Sequence, residues 1–491
     1  MGHAYSSIIA DVLARFKRND NYKVHFLTGT DEHGLKIQKA AEKAGLDPLI
    51  FCNKISKVFK DLSKKLVLSN DDFIRTTEKR HYDSVNELWN KLVKSGDIYL
   101  SKYKGWYSVS DEAYYNSDEV TEKDGKKIST FSGSTVDWVE EESFFFKLSA
   151  WQNKLLELYD KNKNFILPVS RRNEVINFVK SGLKDLSVSR TSFTWGIKVP
   201  NNEKHVIYVW LDALTNYLSA LNYPNISDEL YKNFWPASVH VIGKDILRFH
   251  AIYWPAFLLA AKIDPPQRVF GHGWILSGDE KMSKSKGNIL NPLEIIDTYG
   301  IDQLRYYLMK EVSHGEDGSI SLKNLESCIN SDLANNYGNL CQRIFSFVKN
   351  NCGSEVSKSK NLSENDKKLV KQTKSLVKNL RDEMRYQNLN NYIKSVIEIS
   401  FLTNKYINDE EPWKLKNTNK DKMNNILYLS LEQIAKISIL LNPIIPIATT
   451  KVLDSLSLGK NSRNLSFLDD QKIFNNKIEI KDLDILFKKI S

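Results

Sequence analysis

Residues 281–288 read KMSKSKGN, with Lys281, Lys284 and Lys286 set among two serines and a glycine, shortly after a GHGW turn at 271–274. Three ammonium groups on flexible stems can follow the shifting charge of a polyphosphate, and small residues let the backbone move with them. A second string, TGTDEHG at 28–34, follows the apolar-rich run VHFL and opens a helical pattern. A turn at the carboxyl end of a strand is where a doubly wound sheet binds ligands, so Asp31 and His33 are expected to face a crevice, with Asp31 suited to an ammonium group. A third pattern spaces Asn335, Asn339 and Arg343 at i, i+4 and i+8, away from an apolar face of Leu333, Tyr337, Leu340, Ile344 and Val348. Two amides and a guanidinium in one stripe can hydrogen-bond unstacked base edges. Taken singly, these strings also read as a solvated loop, a helix N-cap and a solvated helix face.

The elements that must position these residues follow from periodicity. Helical spacing over 4–18, 34–44 and 82–95 alternates with an apolar strand at 23–28, which predicts a parallel sheet of the doubly wound kind. Between 97 and 205 the pattern changes to short, aromatic, β-rich pieces with a helix from Trp151, and this reads as an insertion. Alternation then returns: strands at 205–210, 239–242 and 268–270, helices at 212–221 and 246–261. From 331 onward nearly everything fits a 3.6 period, as a helical bundle does. The fold class predicted is α/β, a doubly wound parallel-sheet (Rossmann-like) domain with an insertion, followed by an all-α bundle.

The chain has 491 residues, 41% hydrophobic and 26% charged, enough for about two to four domains. No stretch approaches the roughly 20 apolar residues of a membrane span, and no secretory pattern opens the chain. Cys52, Cys328, Cys341 and Cys352 are scattered, with no Cys-x-x-Cys pair, so reduced structural thiols are expected and no metal centre. Residues 331–491 hold 26 Lys/Arg against 18 Asp/Glu, so +8 of the chain's +10 lies there. A basic domain suggests a polyanionic partner; Lys/Asn-rich composition alone could produce the same count.

The KMSKS string is similar to the signature loop of class I aminoacyl-tRNA synthetases, and TGTDEHG resembles the methionyl-tRNA synthetases specifically. Gly2-His3-Ala4-Tyr5 matches the second half of that family's His-Ile-Gly-His motif, and 209–214, VWLDAL, with Tyr217 looks like its methionine pocket. The resemblance, over residues 2–450, implies a methionine–tRNA ligase using ATP and Mg²⁺. It implies catalytic roles for His3, Lys281 and Lys284. Gly2, His3, Gly243, Asp245, Lys281 and Lys284 would surround ATP, with Asp245 on the ribose hydroxyls. Asp31, Trp210, Ala213, Tyr217 and His272 would hold methionine, with Arg190 supporting Asp31. Asn335, Asn339, Arg343 and Trp413 would read the anticodon. The implied partners are methionine and tRNA(Met), initiator included, with no membrane. A monomer in the cytoplasm is expected, or in the mitochondrial matrix if a longer N-terminus carries a transit peptide. The corresponding domains are a catalytic first half at 1–96, a connective insertion at 97–205, a catalytic second half at 206–290, a stem-contact or linker region at 291–330, and an anticodon-binding bundle at 331–491. Leucine, isoleucine and valine enzymes carry a larger insertion, and the cysteine enzyme needs zinc-binding cysteines absent here.

Two departures from the family carry expectations. Met1 stands where the family has the isoleucine of His-Ile-Gly-His, so the sequence as written lacks the first histidine and the strand before it. This predicts either an upstream start, with activity restored by extension, or a catalytically impaired tRNA-binding paralogue. In the insertion, Ser108 and Asp111 stand where zinc-knuckle cysteines of many relatives would be, so no zinc is expected.

Overall fold

A computed structural model describes residues 1–115, 117–277, 280–281, 290–312, 315–359 and 361–490. They form two compact units, one of residues 25–64 and 70–272, the other of 1–24, 65–69 and 273–491.

The first unit is built on parallel pairing. Leu27–Thr30 lies beside Asp72–Arg75, and Val269–His272 lies between His240–Gly243 and Ile166–Leu167, all parallel. The first strand begins later than the apolar run predicts because the Asp71 carboxylate takes the Phe26 N–H at 2.7 Å, while the Phe26 carbonyl still accepts the Asp71 N–H at 2.8 Å. Helices Leu35–Lys43 and Pro48–Lys65 cross over between the first two of these strands, and Lys79–Lys94 leads on from the second. The last buries Val85, Leu88, Trp89 and Leu92 in a core that includes Phe146 and Phe257, whose rings meet edge-on at 4.9 Å.

The insertion contains a four-stranded antiparallel sheet in the order Ala113–Tyr115, Ile98–Ser108, Asp137–Phe146, Leu186–Ser187. It is not a continuous segment apart: Ile166–Leu167, within 97–205, joins the parallel sheet beside Val269–His272. Both residues are buried, and a two-residue apolar strand gives no periodic signal.

Two further elements differ from expectation. Residues 205–210, expected as a strand, end their pairing at Asn202–Ile207 and turn at Tyr208 into helix Val209–Leu214, which carries Trp210 and Asp212. The run VIYVWL is apolar throughout, so periodicity cannot separate the two states. The helix expected at 246–261 is a π-helical segment Phe249–Tyr253 leading into Trp254–Ala260. Pro255 at the start of the latter has no N–H for the preceding turn, and a π turn absorbs the missing rung.

In the second unit, helix Gly2–Asn19 packs among the helices of 273–491, whereas alternation groups it with the strand that follows. Its Phe16 meets Tyr392 edge-on at 5.7 Å, and its Asp11 accepts from Arg305 Nη2 at 2.6 Å. Arg305 also donates to the carbonyls of Leu66, Pro443 and Ile444 at 2.8–3.0 Å. A fully buried guanidinium is tolerated because each of its three nitrogens finds an acceptor, one of them a carboxylate. Residues 291–330 are largely helical, with Pro292–Tyr299, Ile301–Glu311 and Leu322–Cys328. The bundle is not purely helical: Glu355–Ser357 pairs antiparallel with Lys477–Glu479, using the tail past 450. Among the described residues no helix is long and apolar enough to cross a membrane, and all four cysteines are free thiols.

Candidate active site

The TGTDEHG turn leaves the carboxyl end of Leu27–Thr30, and its members are used differently. Glu32 is buried and saturated: Arg75 donates to it through Nε and Nη2 at 2.8 and 2.9 Å, and the Thr30 and Thr77 hydroxyls donate at 2.7 and 2.6 Å. His33 is buried between the Asp212 carboxylate, 2.7 Å from Nδ1, and the Tyr82 hydroxyl, 3.1 Å from Nε2. Gly34 is required, since at φ 103 a Cβ would run into the Glu112 carboxylate. With its neighbours committed to holding the turn, Asp31 keeps an accessible face.

Loss of water on its protein-facing side pushes the Asp31 carboxyl well above the usual range. Glu112, Asp212 and Glu32 add to the rise, and the His33 N–H opposes it. A carboxyl so placed is short of a cation.

Asp212, which sequence reasoning did not single out, is the centre of a buried relay. Its second oxygen lies 2.7 Å from His81 Nε2, and His81 Nδ1 lies 2.9 Å from the Ser219 hydroxyl. Burial alone would raise Asp212, but the charge and hydrogen bonds of His33, with those of His81, hold it down at about 2. The relay ties helix Val209–Leu214, which carries Trp210 and Ala213, to the turn that carries Asp31.

Trp210 stacks on Phe249 with centroids 3.8 Å apart and planes 6° from parallel, and its indole N–H is shielded from solvent with no acceptor among the described residues. Tyr217 stacks on His240 at 3.9 Å, and its hydroxyl lies 2.8 Å from His250 Nε2. His250 Nδ1 faces the Ile246 carbonyl at 3.0 Å, so Nδ1 carries the proton and the Tyr217 hydroxyl donates to Nε2. Burial lowers His250 to about 4 and, together with His250, takes His240 well below its usual range, so both are neutral at pH 7. The resulting wall is aromatic and uncharged, with Trp210 and Tyr217 brought together by Phe249 and His250. These two partners lie on the π-helical segment, where helical spacing predicts plain helix.

His272 is buried at the end of Val269–His272, in register with Gly243. Gly243 has Asp245 Oδ1 within 2.5 Å, and His272 Cε1 within 3.8 Å, of where a Cβ would stand. The structure thus groups Gly243, Asp245 and His272 at adjacent carboxyl strand ends. Arg190 is buried, donating to the Ser189 carbonyl at 2.6 Å and lying over the Tyr208 ring at 4.5 Å; its charge acts on Glu112.

In the other unit Gly2 and His3 are exposed at the N-terminus of helix Gly2–Asn19, an end that favours anions. A Cβ at Gly2 would meet nothing. Lys281 lies on the short strand Glu280–Lys281, and Lys284 falls outside the described residues. Gly273, of the GHGW turn, is required because a Cβ would collide with the backbone of Glu316 and Asp317.

Asn335 and Asn339 are exposed and Arg343 is half-buried, but the helix is not regular: Ile329–Gly338 is π-helical before Asn339–Cys352. Arg343 lies 6.0 Å from the ring centre of Trp413 and donates to Asn408 at 2.9 Å. Trp413 is 42% exposed. Asn408, on helix Leu389–Glu410, had no motif to mark it.

Residues 1–345 match the family described as tRNA synthetases class I (M), and residues 356–491 match the anticodon binding domain of methionyl tRNA ligase. The chain is 48% identical over 493 aligned residues to the methionine–tRNA ligase of Rickettsia typhi, covering 100% of this chain and 96% of that one. The chain belongs to the methionyl class I tRNA synthetases. It is 47% identical to the methionine–tRNA ligase of Brucella suis over 95% of this chain and 90% of that one. The methionyl-tRNA synthetase of Mycobacterium tuberculosis bound by methionyl-adenylate superposes with a TM-score of 0.95 at 41% identity, covering 99% of this chain and 96% of that one.

In this methionyl synthetase hydroxyls surround the carboxylate of the loop that carries Ser108 and Asp111. Asp111 accepts from the hydroxyls of Ser132, Ser134 and Tyr115, the last at 2.7 Å, and the Ser108 and Ser110 hydroxyls are 3.1 Å apart. One carboxylate among hydroxyls does not fit zinc, which takes sulfur and imidazole ligands in structural sites. Here hydrogen bonds close the loop. Among the described residues no group of three or more His, Cys, Asp or Glu side chains could hold a metal ion.

Proposed function

We propose that this methionyl synthetase attaches methionine to tRNA in two steps. A carboxylate oxygen of methionine attacks the α-phosphorus of ATP, which arrives as its magnesium complex; the new O–P bond gives methionyl-adenylate and expels pyrophosphate. A ribose hydroxyl of the terminal adenosine of tRNA then takes the methionyl group, and AMP leaves. The observation that carries this reading is the TGTDEHG turn, where Glu32 and His33 are consumed as anchors and Asp31 keeps an accessible carboxylate.

In this reading Asp31 receives the ammonium group of methionine, and Trp210, Ala213 and Tyr217 enclose the thioether, helped by His250. Sulfur beside an aromatic edge is favourable by up to about 1.5 kcal/mol. A neutral, aromatic wall suits an uncharged thioether and disfavours charged side chains. Gly243 and Asp245 take the adenosine, with His272 beside them and Arg190 in support. Gly2, His3, Lys281 and Lys284 neutralise the triphosphate as charge develops. Little covalent work falls to the protein, so positioning and charge neutralisation supply the rate.

Asn335, Asn339, Arg343 and Trp413 read the anticodon of tRNA(Met), initiator tRNA included. The protein acts as a monomer in the cytoplasm; the organisms of the relatives are bacterial, which gives the mitochondrial alternative no support. A catalytically impaired paralogue also finds no support, since the relatives carry the ligase name over nearly their full length.

The test is ATP–pyrophosphate exchange with a panel of amino acids. Exchange driven by methionine is expected; exchange with another amino acid, or with none, would overturn the reading. For the anticodon residues, Trp413→Ala is expected to lower kcat/KM for tRNA(Met) by about 10- to 100-fold, the size of one lost base stack. Methionine-dependent exchange, which needs no tRNA, is retained. Aminoacylation at limiting tRNA measures this, and an unchanged kcat/KM would remove Trp413 from the interface.

A further inference from the structure

A loop at the edge of the inserted sheet reaches the TGTDEHG turn and the helix it opens. Glu112 lies in the loop between Ile98–Ser108 and Ala113–Tyr115, at φ 48, a conformation that few residues other than glycine adopt. It is held there from several sides. The Tyr208 hydroxyl donates to its carbonyl at 3.0 Å, and Lys36 Nζ donates to the neighbouring Ser110 carbonyl at 3.3 Å. Its Oε1 accepts the backbone N–H of Lys36 at 3.3 Å, and it lies so close to Gly34 that no Cβ fits there. Helix Leu35–Lys43 has no cap from its own side chains, so a carboxylate from the insertion supplies one.

A carboxylate suits that helix end by charge as well as by hydrogen bond, and the same charge reaches further. Glu112 also acts electrostatically on Asp31, and the charged groups that bear on Glu112 are Lys36, Arg190, Asp31 and Asp212. Glu112 bonds at the start of the helix that the Asp31 turn opens, and two carboxylates that act on one another repel unless a cation comes between them.

We propose that Glu112 is a positioning residue for the ammonium group of the amino-acid substrate, its carboxylate fixing the TGTDEHG turn and adding a second negative charge beside Asp31. This rests on the reading that Asp31 receives the ammonium. Burial pushes the Glu112 carboxyl up to about 7, against the pull of Lys36 and Arg190, so a cation arriving at the turn favours its ionised form.

Glu112→Gln keeps the acceptor for the Lys36 N–H and removes the charge. In ATP–pyrophosphate exchange it is expected to raise KM for methionine about tenfold, with KM for ATP moving less than about twofold. Two inhibitors separate charge from structure: methioninol, which keeps the ammonium, and 4-(methylthio)butyrate, which lacks it. The Ki of methioninol should rise with the methionine KM while that of 4-(methylthio)butyrate stays, and Glu112→Asp should restore part of the loss. An unchanged methionine KM in Glu112→Gln would overturn the proposal, as would methionine, ATP and both inhibitors shifting together. The inhibitor ratio decides even if a variant melts lower. Wild-type protein that shows no methionine-dependent exchange fails the reading of the site itself; normal wild-type exchange with an unmoved Glu112→Gln fails this inference alone.

Discussion

Asp31→Asn lowers kcat/KM for methionine in ATP–pyrophosphate exchange by at least about a hundredfold, the expected cost of about 3 kcal/mol when one partner of a partly desolvated charge pair is made neutral. The side chain keeps its size, and Glu32, His33 and their partners keep the turn, so the loss is one of recognition and the melting temperature stays close to wild type. The raised carboxyl of Asp31 adds a pH signature. Only its ionised form attracts ammonium, so methionine affinity rises as pH increases through that raised range, and binding releases a proton below it. Calorimetry in buffers of different ionisation enthalpy reads that proton. A variant with wild-type kcat/KM would remove Asp31 from the ammonium site.

Asp212→Asn has its largest effect on stability. His33 and His81 both face its carboxylate at 2.7 Å with all three side chains buried. An amide offers one acceptor where there were two and turns an N–H against a ring nitrogen. Breaking one partner of a buried charged network costs about 3–5 kcal/mol, so a clear fall in melting temperature is expected at pH 7. The sign follows from the lowered carboxyl: its stabilisation is complete above the ordinary Asp range near about 4 and is lost as pH falls through about 2. The gap between wild type and variant therefore closes on acidification. Equal melting temperatures at pH 7 would mean that the relay contributes nothing net.

The residues with a motif were legible because the chemistry demands both type and order. The TGTDEHG string located Asp31, and the polar stripe located Asn335, Asn339 and Arg343 on exposed or half-exposed positions. The partners that make these residues work were not legible. His81 stands 131 residues before Asp212, Asn408 stands 65 after Arg343, and Glu112 reaches Gly34 from a different sheet. Each looks like an ordinary polar residue of a helix or loop. Irregular elements were missed for a related reason. The π-helical stretches at Phe249–Tyr253 and Ile329–Gly338 have apolar spacing close enough to 3.6 that only backbone hydrogen bonds distinguish them.

By itself the sequence determined the class of chemistry, the parallel-sheet and helical halves, and the positions of the signature residues, because hydrophobic period and charged strings are local properties. Tertiary structure alone decided which carboxylate is anchored and which is left exposed, which histidines stay neutral, and which distant loop leans on the turn. Those outcomes depend on burial and on charges brought close by folding, and a residue's spacing along the chain carries no record of either.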